Sequence, residues 1–225
     1  MHDIDKGLAT KLRIVCAIDR PIDEMTVSEI CQKAGVSRQT FYNHFESKDE
    51  LLPWWGIWCD NHYLAQIGRT YSWEEGFLRS SYVFRWGSSF LTSGLAHGDT
   101  ISYLGAHPVA QYNIEAFTET VRLVTGSEPD DILAYDIRSF AHFESENVID
   151  SCRKGMAESH LVGAKRIVSM VPALLYDTIQ LPSAKDKTQL ENLAAMDKLD
   201  EELRRTFDPR DVINQELLAQ ATSGL

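Results

Sequence analysis

The sequence contains few of the features that mark secreted, membrane-bound or disulfide-linked proteins. Only four of its 225 residues are cysteines, and none lies in a C-x-x-C pair or at metal-ligand spacing. Four small, buried, reduced thiols are typical of a cytoplasmic protein. The sequence has no run of about 18 apolar residues, and charges are spread through its N-terminal segment. We therefore expect neither a membrane span nor a secretory signal.

Motifs for catalysis and for cofactor binding are also missing. The sequence contains no G-x-S-x-G, no P-loop and no G-x-G-x-x-G. Its seven histidines include no H-E-x-x-H pair. His142 and Glu144 lie two residues apart, which places them on different faces of a helix. We expect no enzyme activity, no metal and no other cofactor.

Strand patterns are nearly absent, and helical spacing takes their place. Glycine and proline are sparse, at 13 and 7 residues. Apolar residues recur at i, i+3 and i+4 along almost the whole chain, which predicts an all-α fold. The main helices are expected at about residues 4–19, 26–35, 38–45, 48–70, 72–91, 109–124, 129–155 and 159–180. Two more should follow, one through Leu190 to Leu203 and one opened by Asp208–Pro209.

Capping signals are unusually dense near the start of the chain. Thr26 precedes a short apolar helix and has Glu29 three residues later, which is the signature of a capping box. Gly35 follows, where a helix can end in the left-handed conformation. Ser37 and Ser47 are capping residues for two further helices. Closely spaced starts around a glycine turn predict a helix–turn–helix with its supporting helices.

The outward face of the third helix is polar but contains no acidic residue. Its side chains are of the types that form hydrogen bonds with base edges and phosphates, namely Arg38, Gln39, Thr40, Tyr42, Asn43 and His44. A solvated face would normally carry pairs of Glu and Lys. From Lys33 to Lys48 three basic residues meet one acidic residue, although the whole chain has a formal net charge of −11. A generic helical hairpin, the alternative interpretation, leaves this face unexplained.

These residues carry a family resemblance. The run TVSEICQKAGVSRQTFYNHFESKDELL resembles the N-terminal DNA-binding domain of the TetR family of bacterial transcriptional regulators. The positions that match the family pattern are Thr26, Ala34, Gly35, Val36, Ser37, Thr40, Phe41, Tyr42, His44, Phe45, Lys48 and Leu51. The resemblance covers about residues 4–52. The aromatic-rich chain beyond them is faintly similar to the branch that regulates dihydroxyacetone kinase genes.

The resemblance implies that two parts of the chain form domains with different functions. Residues 1–50 would form the helix–turn–helix domain, and residues 51–225 a larger helical domain for effector binding and dimerisation. The protein would bind double-stranded operator DNA as a homodimer and would be a repressor released by a small-molecule effector. Arg38, Gln39 and Asn43 would read base edges. The other expected DNA-binding residues are Thr26, Ser37, Thr40, Tyr42, His44 and Lys48. Alternatively, the fold is kept and a protein partner replaces the small molecule, which the net acidity of the chain favours slightly.

Aromatic residues are concentrated in the first part of the presumed effector domain. All five tryptophans lie between Trp54 and Trp86. Such a stripe at helical spacing is typical of a core, or it forms the aromatic wall of a ligand pocket. For a pocket, the candidate residues are Trp55, Trp58, His62, Gln66, Phe77, Trp86, Tyr103 and Tyr112.

Two further expectations concern the shape and assembly of this domain. Pro53 and Gly56 predict a kink in the fourth helix, with the loss of one internal hydrogen bond at Pro53. The resemblance places the dimer interface on the helices at 129–155 and 159–180. Apolar residues there are either interface or intramolecular core, namely Leu133, Ile137, Phe140, Val168, Val171 and Leu175.

Overall fold

The computed structural model describes residues 7–88, 99–153 and 158–223, and its regular structure in these ranges is helical. The all-α prediction is confirmed. The helices are α1 (Leu8–Cys16), α2 (Val27–Ala34), α3 (Arg38–Tyr42), α4 (Leu51–His62), α5 (Trp73–Ser88), α6 (Asp99–Thr125), α7 (Asp131–Arg153), α8 (His160–Ser169), α9 (Ala173–Ile179), α10 (Gln189–Thr206) and α11 (Pro209–Ser223). No helix within the described ranges is long and apolar enough to cross a bilayer.

The helix–turn–helix forms where the capping signals predict it. The Thr26 hydroxyl accepts a hydrogen bond from the Glu29 N–H, and the Glu29 carboxylate accepts one from the Thr26 N–H. Gly35 ends α2 with a φ of 65°, a left-handed conformation that glycine adopts without strain. Ser37 then accepts from the Thr40 N–H at 2.9 Å and starts α3. The predicted caps and turn are confirmed, although α3 ends at Tyr42, earlier than expected.

Helix α4 is shorter than the sequence suggests, because it ends at His62 and not near residue 70. Tyr63 leaves the helical region, and a 3-10 turn at Leu64–Gln66 follows. Gly68, with a φ of 79°, then reverses the chain. Pro53 occupies the third position of α4, where an N–H has no partner within the helix. The predicted loss of a hydrogen bond at Pro53 is therefore wrong.

The same helix runs without interruption through Gly56. The change in local geometry lies at its start, where the 3-10 turn Lys48–Glu50 leads directly into Leu51. This arrangement links the helix–turn–helix to the following helices through one continuous helical segment.

Three other helix boundaries differ from the predictions. A loop was expected before Val109, but α6 extends back to Asp99 through Pro108. A helix was expected to open at Pro129, but α7 begins at Asp131, and the Asp130 carboxylate caps it by accepting a hydrogen bond from the Leu133 N–H at 2.8 Å. A single kinked helix was expected at 159–180, but Pro172 separates α8 from α9. Its extended conformation, with a φ of −55° and a ψ of 136°, cannot continue a helix.

Two apolar clusters hold the helices together. The first joins α1, α2 and α3 to α4, and it includes Leu12, Phe41 and Trp55. The second is built around Trp73, whose ring packs against Phe77, Phe117, Phe140 and Tyr176. The apolar residues considered for the dimer interface lie buried in this second cluster, namely Leu133, Ile137, Phe140, Val168, Val171 and Leu175. They are core residues of one protomer, so the second of the two alternatives, intramolecular core, holds for them.

Candidate DNA-binding surface and effector cavity

The short helix α3 is buried on one side and exposed to solvent on the other. Phe41 and Phe45 are buried in the first cluster and fix the helix on α1, α2 and α4. Arg38, Gln39 and Asn43 are thereby left on the solvent side. The Gln39 side-chain amide donates to the Asn43 Oδ1 at 2.9 Å, so these two amides are already oriented as a pair.

Arg38 is the cation of this surface. Its guanidinium lies 6.0 Å from the centre of the exposed Tyr42 ring and 3.4 Å from the Ser28 hydroxyl. It has no acidic partner among the described residues. Lys33, in contrast, forms an ion pair with Asp19, and Arg20 forms one with Glu29 at 2.7 Å.

The hydroxyl groups at the helix starts serve as caps. Thr26 and Ser37 are exposed, but their oxygens accept hydrogen bonds from the N–H groups of Glu29 and Thr40. The Thr26 N–H and hydroxyl both donate to the Glu29 carboxylate. Together with Arg20, they lower the pKa of Glu29 to about 2. Glu29 thus remains ionised, and the caps stay formed over the whole physiological pH range.

Two of the expected phosphate contacts point into the protein. The His44 ring is half-buried and lies against Gly7, where a Cβ would be only 2.2 Å from the ring Cε1. The Lys48 ammonium donates to the backbone oxygens of Ile22 and Met25 at 2.8 and 2.7 Å. The sequence shows the basic residue but not these carbonyls, which lie more than twenty positions earlier in the chain.

A cavity of about 480 Å³ opens between α4, α5, α7 and α8. Its wall is apolar on several sides, through Leu52, Phe77, Phe84, Val109, Val148 and Ile167. The α4 residues Leu52, Pro53, Gly56 and Asp60 all line it. A cavity of this size and character is typical of a small-molecule site.

Of the residues proposed for a pocket, Phe77 lines this cavity. Trp55 and Trp58 are fully buried and stack on each other with ring centres 4.9 Å apart. His62 makes hydrogen bonds to the Trp58 carbonyl and the Glu216 carboxylate.

The remaining pocket candidates do not line this cavity, or they lie outside the residues whose side chains are described. Gln66 lies in the 3-10 turn after α4, and Trp86 is largely exposed on α5. The Tyr112 hydroxyl donates to the Asn61 Oδ1 at 2.7 Å. Tyr103 belongs to a part of α6 whose side chains are not described.

A buried polar group on the cavity wall was missed by the sequence analysis. The Asn113 side-chain amide donates to Asp60 Oδ2 at 3.0 Å and to Glu144 Oε2 at 3.1 Å. Ser80 and Ser145 add longer hydrogen bonds to the two carboxyl groups. Asp60, Ser80, Glu144 and Ser145 all line the cavity.

Signals for both acids are present in the sequence. Asp60 closes the segment LLPWWGIWCD, which is otherwise apolar on every side. Glu144 follows Phe140 by four residues and Ile137 by seven, so helical spacing places its carboxyl group on the buried face of α7.

Burial determines the protonation of this group. Removing a carboxylate from water disfavours its charged form. Burial raises the pKa of Asp60 to about 7, although Asn113 and Ser80 donate hydrogen bonds to it. Burial, and then the negative charge of Asp60, raises the pKa of Glu144 well above its usual range. The pair therefore retains a proton near neutral pH.

A family model matches the segment that contains α2 and α3. Residues 15–53 match the model of the bacterial regulatory proteins of the tetR family. The HTH-type dhaKLM operon transcriptional activator DhaS of Lactococcus lactis subsp. lactis (strain IL1403) is 52% identical over 31 residues. That match covers 14% of this chain and 17% of the relative. The crystal structure of RolR without ligand gives a TM-score of 0.43 at 16% identity, over 81% of this chain and 97% of that one.

The family match and the helix–turn–helix coincide residue by residue. The matched segment begins at the end of α1, contains α2 and α3, and ends in the first turn of α4. It includes the capped starts, the left-handed glycine and the exposed polar face of α3. This segment is therefore similar to the N-terminal domain of the bacterial regulatory proteins of the tetR family.

Proposed function

We propose that the protein is a dimeric transcriptional regulator that binds operator DNA through α3 and is released by a small molecule bound in the cavity. The observation that carries this proposal is the position of α4. Its residues Leu52, Pro53, Gly56 and Asp60 line the cavity. The 3-10 turn that leads into it carries Lys48, whose ammonium is bonded to Ile22 and Met25 beside α2. A ligand that moves α4 must therefore move the helix–turn–helix.

For DNA binding, α3 has the exposure and chemistry of a recognition helix. In helix–turn–helix proteins this helix lies in the major groove, and its N-terminal residues contact base edges. Arg38 suits a guanine, and Gln39 and Asn43 suit an adenine. Because one short helix reads only a few base pairs, specificity requires a second copy.

For dimerisation, the exposed apolar residues of α7 and α9 supply a surface. Ile132 and Tyr135 on α7 are 67% and 64% exposed. Met170 and Leu174, beside and within α9, are 55% and 44% exposed. Helices α7 and α9 pack against each other, so these side chains lie on neighbouring helices. Apolar side chains of this size on adjacent helices are typical of a protein–protein interface.

The coupling can be tested without knowledge of the natural ligand. Ala164 is buried on the cavity wall, so Ala164→Phe would fill part of the cavity and imitate a bound molecule. We expect weaker binding to DNA from upstream of the protein's own gene, by about 5–150-fold in a gel-shift titration. Leu190→Phe, at an exposed position of α10, is the matched control and should bind as the wild type does. A folded Ala164→Phe protein with unchanged DNA affinity would contradict the coupling.

The direction of regulation needs its own measurement. We propose repression, whereas DhaS is named an activator. A reporter gene placed behind the bound DNA should be expressed more strongly when the regulator is absent. Reduced expression in its absence would show activation instead.

A further inference from the structure

The cavity has two chemically different regions. Near Asp60 and Glu144 the carboxyl groups face neither a lysine nor an arginine among the described residues. In the second region Arg166 pairs with Glu158 at 3.0 Å, and Arg85 donates to the Glu158 backbone oxygen at 2.5 Å. The arginines of the cavity wall are thus engaged by Glu158, away from the buried carboxyl pair.

The formal charge of the wall is negative. Four acidic side chains line the cavity, namely Asp60, Glu144, Asp150 and Glu158, against the two arginines Arg85 and Arg166. His160, the histidine of the wall, is bonded to Asp200 of α10 at 2.8 Å. Full ionisation of the carboxyl pair therefore leaves two negative charges without a countercharge on the described wall.

Two oxygen atoms of this group also lack a hydrogen-bond donor among the described residues. Glu144 is only 3% exposed, and its two hydrogen bonds both involve Oε2, so its Oε1 accepts none among the described residues. Asn113 is fully buried, and its Oδ1 likewise has no donor within the described ranges. Glu144 lines the cavity, so a ligand that brings N–H groups can donate to its Oε1.

We propose that the effector is an organic cation, an amine with an apolar body, whose ammonium group binds to the Asp60 and Glu144 carboxylates from the side of the cavity. This inference rests on the proposed function in one respect, that the cavity is the effector site. The ammonium would supply both the missing charge and a donor for Glu144 Oε1. The apolar body would lie against Phe77, Phe84 and Val109, which line the same cavity.

Binding of a cation should release protons. The carboxyl pair must ionise fully to hold an ammonium group, and burial has raised the pKa of Asp60 to about 7. The affinity for an amine should therefore increase with pH around neutrality, by up to about tenfold per pH unit for each proton released. A simple amine with a pKa of about 10 stays charged throughout this range. The other charged groups that face the cavity are Asp150, Glu158, Arg85, Arg166 and His160.

The test compares three probes of one shape on the full-length protein. Phenylbutylamine, phenylbutanol and phenylbutanoate differ only in the polar end group, and calorimetry gives the affinity of each. We expect the amine to bind the wild type about 10–100-fold more tightly than the alcohol, as for a hydrogen bond to a charged group. We expect the carboxylate to bind most weakly. Equal affinity for amine and alcohol, or no binding of the amine at millimolar concentration, would overturn the proposal.

Variants assign the preference to the carboxyl pair. Glu144→Gln keeps the shape and should abolish both the preference for the amine and its pH dependence. Glu146→Gln makes the same change of charge at an exposed position of α7 and should retain both. Asp60→Asn is a second removal of one buried carboxylate, should Glu144→Gln fold poorly. An amine preference that survives in folded Glu144→Gln and Asp60→Asn would overturn the assignment.

The DNA arm of the experiment separates this inference from the proposed function. Amine binding that depends on the carboxyl pair but leaves DNA affinity unchanged would refute the effector role of the cavity and uphold the cation site. DNA release by the alcohol as strong as release by the amine would uphold the effector role and refute the cation preference.

Discussion

The Lys48 side chain connects the 3-10 turn before α4 to the backbone that precedes α2. Its half-buried ammonium donates to two backbone oxygens, those of Ile22 and Met25. Lys48→Met keeps the aliphatic length but removes both bonds, so we expect the free energy of unfolding in urea to fall by about 1–3 kcal/mol. Lys33→Met, which removes an exposed ion pair with Asp19, should cost less, because water screens such a pair. Equal losses for the two variants would show that the Lys48 bonds contribute no more than a surface pair.

Arg38 has the opposite character, because its charge is directed to solvent. Arg38→Ala should weaken operator binding by about 1–3 kcal/mol and relax the preference at one base pair. Lys48→Met should leave base preference intact. Selection of bound sequences from a randomised operator library measures both effects. An unchanged sequence profile for Arg38→Ala would remove this residue from base reading.

Sequence reasoning identifies side-chain chemistry better than side-chain direction. Arg38, Gln39 and Asn43 are outward because the buried Phe41 and Phe45 fix the rotation of α3, and that periodicity is visible in the sequence. The inward position of Lys48 depends on contacts distant along the chain, which no local pattern reports. The roles of all these residues toward DNA stay predictions.

At the scale of the element, two glycines should respond oppositely to alanine. A Cβ on Gly56 of α4 would lie 3.4 Å from Val109 Cγ2, an acceptable contact. Gly56→Ala should therefore raise the free energy of unfolding by about 0.5–1 kcal/mol, since alanine loses less backbone entropy in a helix. Gly68 has a φ of 79°, and a Cβ there would lie 2.3 Å from the Ile179 backbone oxygen. Gly68→Ala should lower the free energy of unfolding by at least about 2 kcal/mol.

The measurement for both variants is urea unfolding followed by circular dichroism. Destabilisation by Gly56→Ala would show that the cavity side of α4 is more tightly packed than the distances indicate. A neutral Gly68→Ala would show that the turn after α4 can relax away from α9.

Helix starts that carry a capping side chain were easier to predict than helix ends. Capping residues such as Thr26, Ser37 and Ser159 act on their own N–H neighbours, so sequence contains the whole interaction. The end of α4 is different, because the turn at Gly68 is packed against the backbone of Ile179, more than a hundred residues later. Apolar periodicity continued past His62 and carried the prediction too far.

For the whole molecule, the buried carboxyl pair should make stability depend on pH. The pKa of Asp60 rises from 3.8 to about 7 on folding, so folding favours the protonated form. The contribution of Asp60 to the free energy of unfolding is fully present at a pH below its ordinary pKa, and it is lost as the pH rises through about 7. Asp60→Asn removes this dependence and also the part of the Glu144 pKa shift that the Asp60 charge causes, while groups outside the pair cancel in the comparison. We expect the variant to gain stability relative to the wild type as pH increases over this range, measured by urea unfolding, and a pH-independent difference would contradict the assignment.

The proposed dimer requires an interface on α7 and two half-sites on the DNA, and both can be tested. Tyr135 lies 64% exposed on α7, so Tyr135→Glu should leave the core intact but place a charge in a desolvated interface. We expect monomers in sedimentation experiments, an unchanged helical spectrum and loss of specific DNA binding. Leu190→Glu, 76% exposed on α10, is the control and should remain dimeric. Wild-type footprints should show two inverted half-sites with centres about 34 Å apart or a multiple of that spacing. A Tyr135→Glu protein that stays dimeric would show that the interface does not include α7. A wild-type protein that protects a single half-site would show that the protein does not bind the operator as a two-fold dimer.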